Sequence, residues 1–321
     1  MTIPVDLSTI RAAHDRIRPH VHRTPILTCR ALDAISGARL FFKCENLQKA
    51  GAFKSRGACN AVFSLGNDEA ARGVVTHSSG NHAAALARAA ALRGVPAHIV
   101  MPSNAPKVKV AAVEHYGGQI TFCEPNLQAR EETAAEVRAA AGATMIHPYN
   151  DWRIIAGQAT AAVELLEDGP ELDVVMAPVG GGGLLSGTAI AAKSLRPGIA
   201  VLAGEPEEAD DAFRSFAAGE IIPIGRTTTI ADGLRTSLGE KTFAVIRDFV
   251  DGILLATERG IVEALELILT RMKSVVEPSA AVPLAALLAN RGRFSGKKVG
   301  IILSGGNLDL SQLTMLLQLA D

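Results

Sequence analysis

Cysteine is scarce and poorly placed for chemistry. Cys29, Cys44, Cys59 and Cys123 are scattered along the chain without a CxxC pair. That spacing excludes a zinc ribbon and a small disulfide-built fold; reduced thiols in a cytosolic protein are expected instead. An excess of one charge is missing too. The 32 Lys and Arg residues against 33 Asp and Glu leave a net charge of −1, with a pI near 6.7. No broad electrostatic footprint for nucleic acid or an anionic membrane results. The longest charge-free stretch, Val174 to Ala192, contains Pro178 and four consecutive glycines. It reads as a buried strand, loop and helix, not a membrane span. Met1 to Pro25 mixes Asp, Arg and His without an apolar core, so no signal peptide is expected.

Neither a Pro/Ser-rich linker nor a 20–50-residue repeat period is present. Any second domain must therefore be intercalated. What the chain does have is apolar content, 48% of 321 residues, enough for one large or two medium domains. Apolar strands alternate with helical stretches almost throughout. Strands are expected at Leu40–Cys44, Gly73–His77, Ala97–Met101, Ile120–Cys123, Thr144–His147, Val174–Val179, Ile199–Ala203, Ile253–Ala256 and Val299–Leu303. Helices are expected at Leu7–Ile17, Ser55–Leu65, Ala83–Leu92, Pro106–Tyr116, Trp152–Leu166, Leu184–Leu195, Glu207–Ala218, Gly260–Val276 and Ser279–Ala289. Strands that are apolar without alternation mark parallel sheets covered on both faces, so the class is α/β.

One stretch organises the rest. Phe41 to Cys44 is apolar except for Lys43, the chain breaks at Gly51, and Lys54 then stands between Phe53 and a helix start. Desolvation lowers a lysine pKa, and a neutral amine attacks carbonyls, so Lys54 is a candidate Schiff-base lysine. Gly180 to Gly183 join a buried strand to a helix. Successive glycine amides and a helix N-terminus suit a phosphate, although a tight turn alone is the simpler reading. The spacing is neither GxGxxG nor a Walker loop. Ser78–His82 and Ser304–Asn307 end two more strands, where α/β sheets gather ligands. Together these features suggest a phosphorylated aldehyde cofactor held by a lysine. A phosphate-metabolite-binding regulator without chemistry is the rival reading.

Phe53-Lys54-Ser55-Arg56-Gly57, Ser78-Ser79-Gly80-Asn81-His82, Gly180–Gly183, Ala231-Asp232-Gly233, Glu277-Pro278-Ser279-Ala280 and Ser304-Gly305-Gly306-Asn307 occur in one order over nearly the whole chain. In that order they resemble the fold-type II pyridoxal phosphate enzymes, of the serine/threonine dehydratase and serine racemase group. The resemblance implies a tryptophan synthase β-like α/β fold. Residues 1–72 and 145–321 would form a large cofactor domain, and 73–144 a smaller, inserted, mobile one. It implies that Lys54 holds pyridoxal 5′-phosphate, Phe53 packs on its ring and Asn81 meets the ring hydroxyl. Gly180, Gly181, Gly182 and Gly183 would take the phosphate, Ser304 the pyridine nitrogen, with Gly233 and Glu277 lining the ring. Ser78, Ser79, Gly80, Asn81 and His82 would receive the substrate carboxylate.

In the same resemblance Ser79 is either a proton donor and acceptor opposite Lys54 or a carboxylate-binding hydroxyl. Arg130, His147, Tyr149, Asn150, Arg235 and Thr236 fall at pocket positions; an inward Arg130 or Arg235 would suit a second carboxylate, and a surface ion pair is the alternative. Glu205, the Ala209 carbonyl and Asp211 could hold Mg²⁺ or Mn²⁺, or simply favour a helix start. The expected reaction is α,β-elimination from an L-serine- or L-threonine-type β-hydroxy amino acid, giving a 2-oxo acid and ammonia. Serine or aspartate racemisation and 3-hydroxyaspartate dehydration are the alternatives. A cytoplasmic homodimer is expected, without the C-terminal regulatory domain of longer threonine deaminases.

Overall fold

The structure, a computed structural model, describes residues 2–317. Among these, ten strands alternate with helices: β1 (Ile26–Leu27), β2 (Arg39–Cys44), β3 (Val74–His77), β4 (Ala97–Pro102), β5 (Gln119–Cys123), β6 (Thr144–Met145), β7 (Val174–Pro178), β8 (Ala200–Pro206), β9 (Gly252–Ala256) and β10 (Lys298–Leu303). They form two sheets. The larger has the order β1-β2-β10-β7-β8-β9 and the smaller β5-β4-β3-β6. Only the β1–β2 pairing is antiparallel; every other neighbour pair is parallel.

Parallel pairing follows from burial on both faces. Phe41 and Phe42 are successive residues of β2 and point to opposite faces of the sheet. Phe42 packs with Met176, Ile301 and Leu284 of the helix Pro278–Ala289. Phe41 packs with Val175, Ile302 and Leu185 of the helix Gly183–Leu195. The smaller sheet has its own core, in which Val74, Ile99 and Met101 meet Ala58 and Val62 of the helix Lys54–Phe63 and Leu86 of the alanine-rich helix Asn81–Arg93. The helix bearing Lys54 thus touches the smaller sheet's core on one side and, through the helix Trp152–Asp168, the larger sheet's layer on the other.

Several boundaries differ from the sequence expectation. The helix expected to reach Val276 runs from Glu258, passes into a π-turn at Ile268–Met272 and stops. Lys273 takes a left-handed conformation, φ +57°, and its amide closes back on Ile268 O, as a residue ending a helix does. The helix expected at Glu207–Ala218 is interrupted at Asp210, leaving a 3₁₀ turn at Glu207–Ala209 and a helix at Asp211–Ala218. The Glu205 carboxylate causes the restart, accepting the amides of Ala212 and Phe213 at 2.8 and 2.7 Å. Strand β6 ends at Met145, because His147 turns to accept the amides of Tyr149 and Asn150 on Nδ1. Helices at Arg30–Ser36, Asn67–Ala71 and Glu240–Phe249 add to those the sequence pattern predicts. All four cysteines are free thiols, and no described helix is long and apolar enough to cross a membrane.

Candidate active site

The carboxyl ends of β3, β7 and β10 open on one cavity of about 420 Å³, which is where parallel α/β sheets place ligands. Phe53 and Lys54 form one wall. The amide of Phe53 donates to Ser304 O at 3.0 Å, Ala52 bridges Gly305, and the Gly306 amide donates to Gly51 O at 2.9 Å. The loop after β10 is thereby stitched to the segment that delivers Lys54. Its ammonium donates to Pro148 O at 2.8 Å and lies 5.1 Å from the centre of the Phe53 ring. Burial lowers the Lys54 pKa to about 8, against the opposing pull of Glu277. At neutral pH this raises the neutral-amine fraction roughly a hundred-fold or more over an ordinary lysine.

Opposite stands the glycine loop. Gly182 has φ +86°, a conformation that side chains resist. A Cβ on Gly181 would lie 2.3 Å from Tyr149 Cδ1, and one on Gly180 would lie 2.8 Å from Leu234 Cα. The run of glycines therefore serves packing against Tyr149 and Leu234 as well as opening the cavity. The helix Gly183–Leu195 starts here, and its first amides are donors without helical partners. A half-buried amine of lowered pKa, sharing one cavity with a loop stripped of side chains at a helix N-terminus, fits an aldehyde carrying a phosphate.

Asn81 donates to both oxygens of Glu277, at 2.9 and 3.0 Å. Its own oxygen accepts from Asn307 at 2.9 Å, which fixes the orientation of the Asn81 amide. Burial pushes Glu277 up to about 7, although Asn81 opposes the shift. The Gly233 amide donates to Ser279 Oγ at 3.1 Å. Ser304, Gly233 and Glu277 all line the cavity, as do Ser78, Ser79, Gly80, Asn81 and His82. His82 is buried with Nε2 3.3 Å from Ile146 O. Burial, then the Lys54 charge, holds it well below the usual histidine range, so it is neutral.

Arg130 and Thr236 line the cavity as well. Arg130 has no ion-pair partner among the described residues, whereas Lys109 pairs with Asp232 at 2.5 Å. Arg235 is tied to Thr229 O. His147 does not reach the lining; it stands behind it, edge-on to both His77 and Tyr149 at 5.5 and 4.5 Å. Burial and the neighbouring His77 lower it to about 4. The lining also takes in His77, Lys109, Pro148, Asp232 and Ser279, which sequence reasoning does not single out. Asp232 and Ser279 lie inside the Ala231-Asp232-Gly233 and Glu277-Pro278-Ser279-Ala280 motifs, so their positions carry a signal; Lys109 sits in the largely exposed helix Lys107–His115 and carries none.

Glu205, Ala209 and Asp211 lie outside the cavity. Glu205 is the penultimate residue of β8 and follows Gly204, whose carbonyl accepts the Val179 amide at 3.0 Å, so the acidic pair backs onto the glycine loop. Burial raises Glu205 to about 9 and Asp211 to about 7. Both oxygens of Asp211 are buried without a hydrogen bond, although the Leu238 amide is near enough to oppose the shift. No cluster of three or more His, Cys, Asp or Glu side chains suited to a metal is found among the described residues. A site here would need a backbone carbonyl as its third ligand.

Comparison with known proteins agrees with this geometry. Residues 17–305 match the family model for "Pyridoxal-phosphate dependent enzyme", and the chain belongs to that family. It is similar to a serine racemase from Arabidopsis thaliana, 54% identical over 313 residues, covering 96% of this chain and 95% of the relative. It is also similar to a beta-hydroxyaspartate dehydratase from Paracoccus denitrificans, 53% identical over 302 residues, covering 94% and 96%. Among solved structures, maize serine racemase superimposes with a TM-score of 0.94 at 49% identity, covering 97% of this chain and 96% of that one. The chain is thus an enzyme of the fold-type II class, and the reading as a regulator without chemistry is set aside.

Proposed function

We propose that this enzyme is a dehydratase that removes the β-hydroxyl and the amine from a β-hydroxy amino acid, leaving a 2-oxo acid and ammonia. The observation that carries the reading is the half-buried Lys54 amine, of lowered pKa, lining one cavity with Gly180–Gly183. Lys54 and those glycines would hold pyridoxal 5′-phosphate, with Phe53 against its ring, Asn81 at its hydroxyl, Ser304 at its ring nitrogen and Gly233 and Glu277 beside it. When bound, the coenzyme supplies an electron sink for the pair left at Cα. The Lys54 amine, free of the coenzyme once substrate is bound, would take the Cα proton and pass it to the Cβ hydroxyl, which leaves as water. The enamine released then takes up water and gives the oxo acid and ammonia. Amides of Ser78–His82 hold the α-carboxylate, near the start of the helix Asn81–Arg93. Thr236 and His147 shape the side-chain end, His147 through His77 and Tyr149.

Two specific observations favour finer readings. Arg130, in the lining and without an ion-pair partner among the described residues, supports a second carboxylate on the substrate, as in 3-hydroxyaspartate. Ser79, a hydroxyl in the same lining as Lys54, supports Cα proton exchange by a second group, hence serine or aspartate racemisation as a companion activity. The buried, unpartnered Asp211 oxygens support Mg²⁺ or Mn²⁺ held by Asp211, Glu205 and the Ala209 carbonyl, stabilising the glycine loop from behind. We also take residues 73–144 as a small body that closes on residues 1–72 and 145–321 over bound substrate, and the working form as a cytoplasmic homodimer.

The test is an assay for oxo acid and ammonia over a panel of L- and D-serine, threonine and 3-hydroxyaspartate, with and without Mg²⁺. Release of both products from at least one L-substrate is expected. Interconversion of enantiomers with no oxo acid from any of them would overturn the dehydratase reading in favour of a racemase.

A further inference from the structure

Directly behind Lys54 lies a group of buried charges that the chemistry does not touch. Arg56 and Lys43 are 0% exposed, as is Glu45, and Glu164 is 1% exposed. Arg56 donates to both oxygens of Glu45 (2.7 and 2.8 Å) and to both oxygens of Glu164 (2.8 and 2.7 Å). Nη1 also reaches Thr160 Oγ1 at 3.1 Å. Lys43 completes the set, on Glu164 at 2.7 Å and Thr24 O at 2.6 Å. Burial works against each charge, yet Arg56 stays charged beside the two carboxylates, and Glu164 is held well below the usual carboxylate range by His14, Arg56 and Lys43.

Such a network is a poor way to gain stability. Apolar side chains of similar volume serve a core at least as well, and buried charges are attested mainly where they fix one arrangement of elements. Here the elements are β2, the helix Lys54–Phe63 and the helix Trp152–Asp168. On a helix, residues two apart point about 200° from each other. Arg56 is therefore clamped on the rear of the first turn while Lys54 projects from its front. Gly57 reinforces the clamp independently. Its amide donates to Gln158 Oε1 at 3.1 Å, and a Cβ there would lie 2.5 Å from Gln158 Nε2 and 3.0 Å from Ile154 O. Gly157 of the facing helix likewise has no room for a Cβ, which would come 2.6 Å from Gly57 Cα. The two helices touch backbone to backbone at the level of Lys54.

We propose that Arg56 and Gly57 are positioning residues: the Arg56 fork onto Glu45 and Glu164, with the Gly57–Gly157 contact, sets the rotation and depth of the helix so that the Lys54 amine meets Pro148 O at the cavity wall. The proposal rests on the reading of Lys54 as the coenzyme-holding lysine, but its test does not need the coenzyme.

In coenzyme-stripped protein, acylation of Lys54 by acetic anhydride is followed against pH by mass spectrometry, for wild type, Arg56→Lys, Gly57→Ala and the remote core variant Phe294→Leu. Arg56→Lys keeps the charge and loses the fork, so a purely electrostatic role would leave its profile in place. Displacing the amine toward water is expected to raise its titration midpoint by about one unit in Arg56→Lys and Gly57→Ala. Coenzyme binding should weaken about ten-fold, and Phe294→Leu should lower only the melting temperature. Should one variant fail to fold, the other decides. Lys54 profiles superimposable on wild type, with melting temperatures lowered as in Phe294→Leu, would overturn the positioning role while leaving the function untouched. A wild-type protein that takes up no coenzyme would instead sink the functional reading.

Discussion

At the scale of single residues, Lys54 is decided by its surroundings. A lysine with a folded pKa near 8 is protonated, and unreactive toward a carbonyl, below that value. The rate of coenzyme uptake by the stripped protein should therefore climb with pH to a plateau a little above 8. A rate still rising toward pH 10 would mean that the amine is solvated. Lys54→Ala should lose visible absorbance and cut activity by at least about 10³-fold; wild-type turnover in that variant would exclude the amine as base. Ser79→Ala separates the two reactions: racemisation should vanish while oxo-acid formation persists, and equal loss of both would reduce Ser79 to a carboxylate ligand. Lys54 was legible because an aromatic and a glycine break flank it. Lys43 gave a weaker cue, a lone charge in an otherwise apolar strand, whose meaning depended on Glu164, 121 residues away. Separations of that size leave no local pattern to read.

At the scale of elements, the glycine loop does two things at once. Gly181 must leave room for Tyr149, so Gly181→Ala pushes the ring or bends the loop. Over-packing of that kind costs about 1–3 kcal/mol. The expected result is a lower melting temperature together with coenzyme affinity weakened by more than ten-fold, measured by absorbance titration; unchanged affinity would show that the loop does not carry the phosphate. Strand and helix order was legible from apolar runs and glycine punctuation. Element ends were less so. Glu205 restarts a helix through a contact seven and eight residues on, and Lys273 stops one by adopting a left-handed backbone. Neither event is written in hydrophobic periodicity. His147 could be read as a pocket residue but not as a residue one layer back, because that depends on how His77 from β3 faces it.

At the scale of the whole molecule, the cavity sits at the carboxyl ends of strands from both sheets, and its lining includes the Lys109–Asp232 pair. Both partners are partly exposed, at 30% and 45%, so the pair should add under about 1 kcal/mol to stability. Lys109→Met is expected to leave the melting temperature within a few degrees of wild type and to raise KM; a large loss of stability would make the pair structural. Removing divalent ions with a chelator should lower the melting temperature, and Mg²⁺ or Mn²⁺ should restore it in wild type but not in Asp211→Asn. A melting temperature that neither the chelator nor added Mg²⁺ or Mn²⁺ shifts would dismiss the cation.

The most direct test of the whole account is reduction of the purified, coenzyme-loaded protein with borohydride, followed by digestion and mass spectrometry of the peptides. Covalent linkage of the phosphopyridoxyl group to Lys54 is the expected result. Its appearance on another lysine, or on none, would contradict the assignment from which every role above is derived.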